Sequence, residues 1–202
     1  MRFHAAFFFA ALVAVPALGS CWAADAPGPK TQDGPSRAAP KTPEQAREDI
    51  YARLAASKDS DETEGLVGLL LGSYSDSGSD SGDLLLAHAR KAIAAKDYDS
   101  AGKILDATVS LMPNWAEVWN ARAALRYLDD DIDGAMADIA QTLKREPRHI
   151  GALAGMAMIL TAQNKDEQAL KVYEHLLTIA PHWRQAEEAV DDLKAAIAGQ
   201  QI

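Results

Sequence analysis

The chain has 202 residues, 48% of them hydrophobic and 24% charged, enough for one domain with an apolar core. Lys and Arg number 20 against 29 Asp and Glu, a formal net charge of -9 with no basic run, which argues against nucleic acid as a partner. The single cysteine, Cys21, excludes an internal disulfide and a cysteine-built metal site.

In chain order, Arg2 and an apolar run from Ala5 to Leu18 read as a secretory signal over residues 1–24. The run falls short of the ~20 residues that a membrane span needs. Leu18-Gly19-Ser20-Cys21 resembles the lipobox of bacterial lipoproteins. That resemblance implies a signal ending at residue 20, lipidation of Cys21 and membrane contact through a lipid anchor alone. Cleavage after Ala23 or Ala24, which discards Cys21, is the competing reading. Both place the mature protein in the periplasm. Residues 25–42, with Pro27, Pro29, Pro35 and Pro40, have little to bury and read as a disordered Pro-rich linker.

Thr42-Pro43-Glu44-Gln45 is a helix start: Thr42 can cap, Pro43 suits the first turn and Gln45 can close a capping box. Ile50, Tyr51 and Leu54 give that helix an apolar side. A second helix is predicted over about 62–74 from Leu66, Val67, Leu69, Leu70 and Leu71, weakened by Gly65, Gly68 and Gly72. Residues 43–81 therefore form a helical hairpin. The Ser/Gly/Asp-rich stretch Ser73–Asp83 reads as a flexible loop.

A repeat follows. Pro113, Pro147 and Pro181 lie 34 residues apart, and Ala89/Ala123/Ala157, Ala101/Ala135/Ala169, Leu85/Trp119/Leu153 and Leu105/Ile139/Tyr173 keep the same step. The units are 82–115, 116–149 and 150–183. Each divides into two segments with apolar residues at helical spacing, such as Leu153, Met156, Ala157 and Leu160, then Ala169, Leu170, Tyr173, Leu176 and Leu177. Each proline ends a unit because it cannot continue a helix. Residues 184–198, with Ala186, Ala189, Val190, Leu193 and Ile197 on one face, read as a capping helix. One step back from Leu85, Ala89 and Leu105 stand Tyr51, Ala55 and Leu71, so the 43–81 hairpin is also a candidate degenerate fourth unit.

Period and pattern resemble the tetratricopeptide-repeat (TPR) family, best in the middle unit with Trp119, Ala123, Ala135, Ile139 and Pro147. His88 and Arg122 stand where the family has Leu, and Ala92 and Arg126 where it has Tyr. The resemblance implies an all-α, right-handed solenoid of about three helix-turn-helix repeats. It also implies a concave groove, lined by the first helix of each unit, that holds a peptide or helix. The groove positions are then Asp83, Leu86, Arg90, Ile93, Glu117, Asn120, Ala124, Tyr127, Leu128, Ala154, Met158 and Thr161. Tyr127 and Arg90 are the expected aromatic and guanidinium anchors.

Other constellations have plainer readings. Asp129, Asp131, Asp133 and Gly134 imitate half a calcium loop, but Ala140 stands where a bidentate Glu is needed. The repeat register reads them, with Asp97 and Asp99, as turn and cap residues. His4, His88, His149, His175 and His182 show no paired ligand spacing, and no catalytic motif is recognisable. The expectation is a non-catalytic envelope adaptor without cofactor or metal. Its alternatives are a lipid-anchored component of an envelope assembly and a metal- or small-ligand-binding periplasmic protein.

Overall fold

The computed structural model describes residues 41–200. The signal segment, Cys21 and nearly all of the Pro-rich linker lie outside the described residues. The described residues form nine helices and no strand: α1 (Pro43–Ala56), α2 (Ser60–Ser73), α3 (Asp80–Ala94), α4 (Tyr98–Leu111), α5 (Ala116–Leu128), α6 (Ile132–Arg145), α7 (Ile150–Ala162), α8 (Asp166–Ile179) and α9 (Arg184–Gln200).

From α3 onward each helix packs on its chain neighbours, and the first helices of successive units, α3, α5 and α7, also touch. The pairs α3–α4, α5–α6 and α7–α8 are the three expected units, and α9 packs on α8. Small residues let the pairs close: Ala89, Ala101, Ala123, Ala135, Ala157 and Ala169 are all buried. The period also governs local detail. Asp97 caps α4 through the Ser100 N–H, and Asp131 caps α6 through the Gly134 N–H at 2.9 Å. Before these helices Lys96 and Asp130, and before α8 Asn164, take left-handed backbone with φ near 60° (60°, 63° and 57°). The acids that imitate a calcium loop thus end α5 and start α6.

Two local expectations are revised. Of Ser73–Asp83 only residues 74–79 lie between helices, because Ser73 ends α2 and α3 starts at Asp80. The Ser79 side chain accepts the Gly82 N–H, and the Asp83 carboxylate accepts the Ser77 N–H at 2.8 Å. Serine and aspartate at a helix start are caps, and composition alone does not separate a cap from a loop. The second helix starts at Ser60 behind an Asp59 cap. Its glycines face open space, while Leu66, Val67 and Leu70 on the other side are buried.

The α1–α2 hairpin packs beside the array instead of ahead of it. A preceding unit would stack on α3; α1 packs on α8. Tyr51, Leu54, Leu66, Val67, Leu70 and Tyr74 share one core cluster with Ile150, Leu153, Leu176, Ile179 and Ala186. The hairpin therefore lies over the turns that join the repeats. Thr63 Oγ1 donates to the Pro181 carbonyl at 3.0 Å, and Tyr51 Oη donates to the Arg148 carbonyl at 3.0 Å. Trp115 Nε1 donates to the Tyr74 carbonyl at 2.9 Å. Ion pairs Arg148–Glu48 and Arg184–Asp61 flank the seam.

The groove face and its buried network

The expected groove positions split by depth. Those near the start of each first helix are covered. Leu86 is buried, Ala154 packs against the hairpin core, and Asp83 is turned towards Ser77. Gly151 leaves room for α2, since a Cβ there would lie 3.3 Å from a Leu71 methyl. Positions further along remain open. Ala124 and Thr161 are exposed, as are Leu128 at 50% and Met158 at 46%. Tyr127 is half-buried beside Ala123, Ile132 and Met136, so its ring belongs largely to the core of the second and third units. Ile93 packs likewise on the first unit's core.

Arg90 is partly exposed and engaged. Its guanidinium donates to Ser75 Oγ at 2.7 Å and pairs with Glu117. Glu117 is buried in the first turn of α5 and holds several partners. Asn120 Nδ2 donates to its Oε2 at 3.1 Å, and His149 Nε2 lies 2.9 Å from the same oxygen. His149 is fully buried as the cap of α7, its Nδ1 accepting the Ala152 N–H at 3.1 Å. An Nδ1 that accepts leaves Nε2 to donate to Glu117. The Tyr74 ring stacks on the imidazole, with centroids 3.8 Å apart and planes 17° from parallel. The network is thus Tyr74, His149, Glu117, then Arg90 and Asn120. His149 is the last residue of the second unit, and its spacing along the chain does not point to Glu117. The available signal was position: Trp115 and Trp183 occupy the equivalent sites, so a polar ring at 149 sits where the other units carry a large aromatic one.

A second buried network accounts for the departures at Arg122 and Arg126. Asp138 of α6 is buried and accepts from Arg122 Nε and Nη2, each at 2.8 Å, with Arg126 at 3.2 Å. Arg122 also reaches Asp106 of the preceding unit at 2.8 Å. Ile104 and Val172 hold the equivalents of Asp138. The second unit has exchanged apolar contacts for a paired carboxylate and two guanidiniums, each supplied with partners as burial requires. Among the described residues no cluster of His, Cys, Asp and Glu could hold a metal ion.

Stacked helix pairs with a partly open face on their first helices define a helical-repeat protein of the solenoid class. A TPR repeat-containing protein of Rhizobium etli is 37% identical over 163 residues, covering 81% of this chain and 80% of that one. The chain belongs to the tetratricopeptide-repeat family. No family model matches it. Two solved structures share the fold. The first TPR of Spaghetti (RPAP3), bound to the HSP90 peptide SRMEEVD, aligns with TM-score 0.54 at 20% identity, covering 58% of this chain and 93% of that one. The P58(IPK) TPR domain aligns with TM-score 0.51 at 17% identity, covering 76% of this chain and 41% of that one. These likenesses indicate no enzymatic family.

Proposed function

We propose that the chain is a non-catalytic adaptor of the cell envelope that holds a peptide segment or helix of a partner protein on the first-helix face of its repeats. The observation that carries this reading is the open row at the outer groove positions: Ala124, Leu128, Met158 and Thr161, bordered by Arg90 and Asn120. Exposed leucine and methionine beside polar groups suit recognition of an amphipathic segment. The Spaghetti domain, of the same fold, is bound to a peptide. The envelope location rests on the Arg2 and Ala5–Leu18 signal pattern.

Crosslinked capture from bacterial envelope fractions tests the groove. Leu128→Asp with Met158→Asp should lose the partner while helical content stays that of the wild type; retained capture would place binding elsewhere. A second reading, a lipid-anchored component of an envelope assembly, is favoured by Leu18-Gly19-Ser20-Cys21. Intact mass separates the two. A chain starting at acylated Cys21 supports the anchor, an unlipidated start after Ala23 or Ala24 supports a free periplasmic adaptor, and retention of Met1 removes the envelope reading.

A further inference from the structure

Two independent links run from the end of the hairpin to Arg90. One is direct: Ser75 Oγ, in the segment leaving α2, accepts from the guanidinium at 2.7 Å. The other passes through the interior. Tyr74 stacks on His149, His149 donates to Glu117 Oε2, and Glu117 Oε1 takes Arg90. Each end of this chain has its own anchor. Tyr74 Oη lies 2.8 Å from Tyr51 Oη and accepts the Ile150 N–H at 3.4 Å, which ties it to α1 and to the start of α7. At the far end Asn120 shares Glu117 with Arg90.

We propose that docking of the α1–α2 hairpin and the setting of the Arg90–Glu117–Asn120 group are one coupled equilibrium, so that the hairpin acts as a built-in brake on the first-helix face. With the hairpin seated, His149 is fully buried, Glu117 is nearly dry and the partly exposed Arg90 is engaged by Ser75 and Glu117. A dry carboxylate grips a guanidinium far more strongly than a wet one. With the hairpin lifted, Tyr74 leaves the His149 ring, water reaches Glu117, and Ser75 withdraws from Arg90. The guanidinium is then free for a partner. By linkage, whatever draws Arg90 away loosens the hairpin to the same extent. The inference rests on the proposed function only in taking Arg90 and Asn120 as groove residues.

Hydrogen exchange on the full chain tests it without a partner, so a groove that captures nothing and a coupling that does not exist give different results. Arg90→Gln leaves a half-exposed polar side chain that folding tolerates, and Glu117→Gln removes the buried charge. Both should accelerate amide exchange in residues 66–74 by about tenfold or more relative to the other helices. Met158→Ala, on the same face but outside the chain of contacts, should leave that segment unchanged. The reciprocal arm is the side-chain Nε–H resonance of Arg90, which should shift and exchange faster when the hairpin seam is weakened by Tyr51→Phe with Tyr74→Phe. Exchange that rises uniformly over all helices, or an Arg90 resonance indifferent to the seam, would overturn the coupling.

Discussion

The hairpin seam offers a quantitative test through two hydroxyls. Tyr51 Oη and Tyr74 Oη lie 2.8 Å apart and both reach the Arg148 carbonyl, at 3.0 and 3.2 Å. Tyr74 Oη also accepts the Ile150 N–H. Both phenols are buried. Either can donate to the carbonyl when the other is lost, so Tyr51→Phe or Tyr74→Phe alone should cost about 1 kcal/mol, the net worth of one hydrogen bond. Losing both leaves the Arg148 carbonyl, which only the two hydroxyls cover from the hairpin side, without either donor. Leaving such a group unmade costs ~1–3 kcal/mol, so the double variant should cost about 3 kcal/mol. The two substitutions should therefore exceed their sum by about 1 kcal/mol in a double-mutant cycle. Urea unfolding followed by circular dichroism reads this, with the double variant's midpoint falling ~1–2 M at unchanged slope. A double variant equal to the sum of the singles would show that the hydroxyls do not back each other up, and that the seam is held by its apolar contacts alone.

Four further outcomes follow from the same geometry. Burial, the largest cause for each, holds the Tyr51 and Tyr74 phenols well above their ordinary value. A raised folded value means that their stability is complete below about pH 10, where unfolded tyrosine titrates, and is lost as pH rises beyond it. Melting temperature should thus fall more steeply above pH 10 in the wild type than in the Tyr51→Phe/Tyr74→Phe variant. Asp138→Ala strands two guanidiniums in a mostly buried site and should cost about 3–5 kcal/mol by urea unfolding; a loss below 1 kcal/mol would mean that water replaces the carboxylate. Lys96→Gly relieves a left-handed lysine and should raise stability by about 1 kcal/mol, whereas Lys96→Val should lower it, both read by thermal melts. Ala123→Trp should cost several kcal/mol, or abolish the cooperative melt, by overpacking a side chain that is only 3% exposed; normal melting would mean that the repeat register is misplaced.

The sequence by itself determined the array. A step of 34 residues shows in Pro113, Pro147 and Pro181 because every unit must break its second helix at the same point, and in Ala89, Ala123 and Ala157 because every pair must close to the same distance. The Asp97 and Asp131 caps and the Thr42–Gln45 capping box are legible for the same reason, since each acts within a few residues of itself. Arg122 and Arg126 were visible only as departures. Their cause, Asp138, carried a usable mark, an acid where Ile104 and Val172 are apolar. The tertiary structure alone decided where the hairpin lies. Its apolar side is as suited to stacking ahead of α3 as to covering the repeat turns, and only the fit of Tyr51, Leu66, Leu70 and Tyr74 against Ile150, Leu176 and Ala186 selects the second. It also decided that Arg90 is held and Tyr127 largely enclosed. Arg90, Glu117 and His149 are 27 and 32 residues apart along the chain, and Tyr74 lies 75 from the imidazole it covers. Periodicity reports which face of a helix turns inward; it carries no record of which distant side chain meets it there, because that depends on how whole helices settle against one another.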